Sequence, residues 1–157
     1  MRRLPLFTVA ATAVFLGTAM AGRVADARPL PNGGVTADEV AEVMKIMKLP
    51  VEQTRDKQGD PLIKSSSDGR RFGVYFYQCK ANRCTSIQFS SGFNDAVPVA
   101  KVMEWNRTKR FGRAYIDGTT LYVEMDMDVE RGATTEALAN NFERWAAVLE
   151  QFPKFFQ

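Results

Sequence analysis

From residue 35 onward the apolar positions follow two periods, one helical and one extended. Val40, Val43, Met44 and Met47 recur at i, i+3, i+4 and i+7, the stripe of an amphipathic helix. Thr36 and Glu39 supply a capping box ahead of it, Val35 and Val40 a hydrophobic staple, and Pro50 closes it. Residues 51–55 and 62–66 read as short strands joined by a turn over 56–61, which lacks the alternating ligands and terminal Glu of a calcium loop. A second turn, 67–70, leads into strands 71–78 and 85–90. The next helix is predicted from about Asp95 to Arg107, with Pro98 in its first turn and Val99, Val102, Met103 and Asn106 facing inward. Residues 111–116 and 121–129 form a hairpin turned at Asp117-Gly118. Its second strand alternates, with Val123, Met125, Met127 and Val129 on one side and Glu124, Asp126, Asp128 and Glu130 on the other. The last helix is predicted from Thr134 to about Phe152, where Pro153 breaks it. Its apolar residues Leu138, Phe142, Trp145, Leu149 and Phe152 are spaced 4, 3, 4, 3. Strands joined by tight turns give an antiparallel sheet with one solvated face. The order α-ββββ-α-ββ-α therefore predicts a two-layer α+β sandwich, with the helices over the other face.

Ahead of this domain, residues 35–157, the chain reads differently. Residues 28–34, with two prolines and two glycines, are expected to be a linker. Residues 1–21 have the three parts of an export signal: Arg2 and Arg3, an uncharged apolar run, and the small-x-small site Ala19-Met20-Ala21. Cleavage is expected after Ala21, or alternatively after Ala27 at Ala25-Asp26-Ala27, leaving a periplasmic or secreted protein with no stable membrane insertion. An exported location makes Cys79 and Cys84 a structural disulfide. Pairing them across a four-residue hairpin loop sets Tyr77 against Ser86, Tyr75 against Gln88, Phe76 against Ile87 and Val74 against Phe89. One face is then apolar, and the other carries the sulfurs, the tyrosines and polar groups.

Composition narrows the chemistry. The 157 residues are 45% hydrophobic and 25% charged, an ordinary globular balance. The formal charge of +3 falls to 19 − 18 = +1 once Arg2 and Arg3 are set aside, so no nucleic-acid partner is expected. There is no histidine, which excludes Ser-His-Asp and Cys-His hydrolases and His-ligated zinc.

The run Trp105-Asn106-Arg107-Thr108-Lys109-Arg110-Phe111-Gly112-Arg113-Ala114-Tyr115 resembles the YbjN-domain family, as do the strands around Phe72–Tyr77 and Arg83–Phe89 and the tripeptide Glu124-Met125-Asp126. Trp105, Asn106, Arg110, Phe111, Arg113 and Tyr115 carry the motif. The resemblance implies a fold like that of type III secretion chaperones, usually dimeric, and the loose label of a bacterial sensory transduction regulator. It implies no catalytic residue and no cofactor.

The remaining constellations have plain readings. Carboxylates at i and i+2 along one strand stand about 7 Å apart, too far to share an ion without other ligands. Placing Lys109, Phe111 and Arg113 opposite the acidic row makes cross-strand ion pairs the simpler account. The alternative is a metal-binding or hydrolytic site on Glu124, Asp126, Asp128 and Glu130. The last helix can pack on its own sheet or form a dimer seam. Tyr75 and Tyr77 on the solvated face, and Phe152, Phe155 and Phe156 near the terminus, are candidate contact surfaces for a protein partner. The expected function is thus that of a non-catalytic, exported interaction module, working as a homodimer.

Overall fold

The computed structural model describes residues 27–94 and 96–157. The expected leader, its first cleavage site and Asp95 lie outside them. The elements are α1 (Ala37–Ile46), β1 (Glu52–Arg55), β2 (Pro61–Ser67), β3 (Arg70–Lys80), β4 (Arg83–Phe93), α2 (Val99–Thr108), β5 (Arg113–Asp117), β6 (Thr120–Asp128) and α3 (Thr135–Phe156). The six strands form one antiparallel sheet in the order β1-β2-β3-β4-β6-β5. This is the α+β architecture that the hydrophobic pattern predicts. Among the described residues no helix is long and apolar enough to cross a membrane.

The helix face of the sheet is aromatic and aliphatic. Ile63, Val74, Phe76, Ile87, Phe89 and Val123 are fully buried there. The whole 4-3-4-3 stripe of α3 packs onto this face: Phe142 meets Phe89 edge-on at 5.0 Å, and Trp145 lies 6.0 Å from Phe72 and 5.8 Å from Phe89. The seam is therefore used up within the chain. α1 keeps its predicted start, since Thr36 Oγ1 accepts from the Glu39 amide and Glu39 accepts from the Thr36 amide.

Several local expectations need correction. Pro153 lies inside α3, which continues to Phe156. The last turn holds because Phe152, Phe155 and Phe156 all pack around the Trp105 ring, at 4.8, 5.3 and 6.3 Å. In α2, Val99 and Met103 are two-thirds exposed, and the buried residues are Val102 and Trp105. Pro98 stands at the N-cap, one step before the first turn. Strand β5 begins at Arg113, two residues late, because Gly112 adopts φ +81°. A Cβ there would press on Val148, so the position needs glycine.

A further correction concerns the hairpin. The register Cys79↔Cys84, Tyr77↔Ser86, Tyr75↔Gln88, Phe76↔Ile87 and Val74↔Phe89 is as expected. The loop is tighter, because Lys80 pairs with Arg83 around Ala81-Asn82, both at positive φ as a type I′ turn requires. Gln78 also has φ +54°, which breaks the alternation, so the sulfurs leave the polar face. Cys84 is fully buried in the main core and Cys79 packs against it, the two joined as a disulfide.

The segment 28–34 is docked onto the domain. Leu30 is buried and donates to Ala133 O, Gly33 donates to Glu130 O, and Val35 exchanges two backbone hydrogen bonds with Cys84. Arg83 fastens this strap through the carbonyls of Pro31 and Gly34 and through both carboxylate oxygens of Glu39.

Candidate functional site

The face of the sheet away from the helices is open, and strand alternation decides what it presents. One row crosses all six strands: Glu52, Lys64, Gly73, Ser90, Glu124 and Arg113. The protein's four tyrosines, Tyr75, Tyr77, Tyr115 and Tyr122, all project from this face. Gly73 and Gly92 make room for two of them: a Cβ at Gly73 would meet the Tyr75 ring, and one at Gly92 the Tyr122 ring. Tyr77 is 40% exposed, and its hydroxyl donates to Gln88 Oε1 at 3.2 Å.

The acidic row is less uniform than the alternation suggests. Glu124 is only 7% exposed. It accepts from Arg113 at 2.6 Å, from the Tyr115 hydroxyl at 2.8 Å and from Ser90 at 3.4 Å. Asp126 accepts from Gln88 Nε2, and Asp128 caps the Glu130 amide. Among the described residues no group of three or more Cys, Asp or Glu side chains is arranged to hold a metal ion. Burial pushes the Tyr115 phenol well above its ordinary value near 10, with the Glu124 hydrogen bond and charge adding to it. Burial also raises Tyr77, with help from the charge of Glu124.

Of the residues predicted opposite the acidic row, only Arg113 is there. Gly112 turns the chain before β5, so Lys109 Nζ lies over the Trp105 and Phe155 rings on the helix side. Arg110 and Arg144 lie over the Phe111 ring, at 5.5 Å and 4.6 Å from its centroid. Of the terminal aromatics, Phe152 is fully buried and Phe155 and Phe156 are half-buried against the core. Phe152 therefore offers no contact surface.

The sequence motif around Trp105 has a structural purpose that spacing alone did not reveal. Along an antiparallel strand, each residue's N–H and C=O point to the same edge. Asn106 donates to Ala114 O at 2.9 Å and accepts from Ala114 N at 2.8 Å, while the Trp105 indole donates to Gly112 O at 2.6 Å. Two side chains of α2 thus occupy outward backbone groups at Gly112 and Ala114, blocking the start of an edge that would otherwise template another strand. Arg113 and Tyr115, the far end of the motif, hold Glu124 on the open face.

The sequence pattern of the YbjN family, described as "Putative bacterial sensory transduction regulator", matches residues 36–157. The chain belongs to the YbjN family. Among solved structures it is similar to the E. coli protein described as "YbjN, a putative transcription regulator", with a TM-score of 0.54 and 15% identity over 73% of this chain and 85% of that one. At that identity the likeness concerns the fold. No curated protein matches. The disulfide is compatible with an oxidising, exported location for this YbjN protein.

Proposed function

We propose that this YbjN protein is an exported, non-catalytic interaction module that acts through the open face of its sheet. The carrying observation is the segregation of all four tyrosines and a row of charged residues onto the one face that no helix among the described residues covers. Tyrosine supplies a large contact area with a polar end at low conformational cost, which suits recognition of a protein surface. The alternative, metal-dependent or hydrolytic chemistry on the acidic strand, is less well supported. Its most buried carboxylate, Glu124, is already occupied by Arg113, Tyr115 and Ser90. A near-neutral body argues for a protein partner over a nucleic acid.

A photo-crosslinking residue placed at Tyr77, with a control at the exposed Glu143 on α3, tests this in intact cells. Adducts from position 77 and none from 143 are expected, with the protein recovered from the periplasmic fraction. Absence of any adduct at position 77 overturns the reading. A rise of several degrees in melting temperature with calcium or zinc, abolished by Asp126→Asn, would instead favour the metal site.

A further inference from the structure

The open face has two unlike halves. Across β2, β3 and β4 lies a groove of about 660 Å³ floored by Gly73, Ser90 and Gly92, with Lys64 and Arg71 on its border. Beside it, on β4 and β6, a dent of about 560 Å³ is lined by Tyr77, Gln88, Asp126, Asp128 and Glu130. Among the described residues Arg71, Asp126 and Asp128 have no ion-pair partner, and Lys64 has one exposed pair, with Glu52 at 3.0 Å. One half is therefore concave, with Arg71 as its unpaired cation beside the Lys64–Glu52 pair. The other is acidic and carries the exposed Tyr77.

We infer that these halves are complementary to each other across two molecules: the open face pairs with the open face of a second copy, about a two-fold axis lying in the interface. This rests on the reading of the open face as a contact surface, and it names the partner. Arg71 on β3 and Asp126 on β6 are two strands and four residues apart, roughly 16 Å on the diagonal at ordinary strand spacing and rise. A half-turn about the line midway between them lays Arg71 of one copy over Asp126 of the other, and the reverse. The same operation carries Asp128 to Ser66. It carries Tyr77 to the groove border at Glu52 and Lys64. Each contact occurs twice, as a closed two-fold interface requires. A uniformly acidic or basic partner would match one half and be repelled by the other, whereas a second copy satisfies both. The α3 stripe offers no rival seam, since it is buried within the chain.

Sedimentation equilibrium of the purified, oxidised protein tests this pairing. A dimer is expected at low ionic strength. Its dissociation constant should rise at least about tenfold in ~1 M salt, where screening acts within roughly 3 Å. Arg71→Glu and Asp126→Arg should each weaken the dimer by about tenfold or more, and the double variant should return to within about threefold of the wild type. A wild-type monomer at about 0.2 mM, salt-independent association, or a double variant no tighter than its parents would overturn the inference. The salt series uses the unaltered protein, so it decides even where a variant fails to fold. A monomer whose position 77 still cross-links a different protein would overturn the self-pairing and leave the recognition reading intact. No adduct at all would overturn both.

Discussion

On the helix side of the sheet, Phe72, Phe89 and Phe93 interlock with the aromatic residues of α3, and Phe76 is fully buried. On the other side, the same strands and their neighbours carry Tyr75, Tyr77, Tyr115 and Tyr122. The two aromatic sets differ by a hydroxyl, and that difference tracks what each face does. Rings without a polar atom fill a space from which water is excluded. Rings with one lie at a wet boundary, where Tyr77 and Tyr115 donate to Gln88 and Glu124. Stability should therefore reside mainly on one face and recognition on the other.

Truncating matched residues on the two faces is the sharpest way to break this contrast. Phe89→Ala removes a ring packed between Phe142 and Trp145 and should cost about 3–5 kcal/mol in chemical denaturation. Tyr75→Ala on the open face should cost under about 1 kcal/mol. Equal losses would mean that the tyrosine face is itself core, buried against something stable. Next in size is Asn106→Ala at the edge of the sheet. It leaves both backbone groups of Ala114 without partners and should cost about 2 kcal/mol. Light scattering should also show increased aggregation, since the β5 edge becomes available for pairing.

The smallest effect concerns pH and sharpens the tyrosine side. Because the folded state raises the Tyr115 phenol above its ordinary value near 10, the unfolded chain ionises first. The stability from this group is fully present below pH 10 and is lost as the pH climbs toward the folded value. Ultraviolet titration should find Tyr115 and Tyr77 ionising after free tyrosine. Tyr115→Phe should flatten the decline of melting temperature in that range.

The elements and hairpin register could be read from the sequence because both rest on local periodicity. The capping box at Thr36 and Glu39 and the register about Cys79 and Cys84 needed no knowledge of distant residues. What escaped were positions where single backbone angles or long-range partners override the period. Gln78 and Gly112 at positive φ swing the sulfurs, Lys109 and Phe111 to the helix side. In α2 the apolar count favoured Val99 and Met103, but the helix is aimed by what Trp105 and Asn106 reach on β5. Pro153 reads as a breaker until the Trp105 cluster beneath it is known. On the open face, the position of Tyr75 and Tyr77 was legible. The shielding of Glu124 was not, because Arg113, Tyr115 and Ser90 reach it from two other strands.

The strap formed by residues 28–35 bears on how the protein is handled at the bench. Family similarity begins at Thr36, an inviting place to start a recombinant version. A chain begun there would be missing two interior side chains, Leu30 and Val35, and would leave the Arg83 guanidinium with fewer acceptors to grip. Gene design that respects this molecule should retain Arg28 and everything after it.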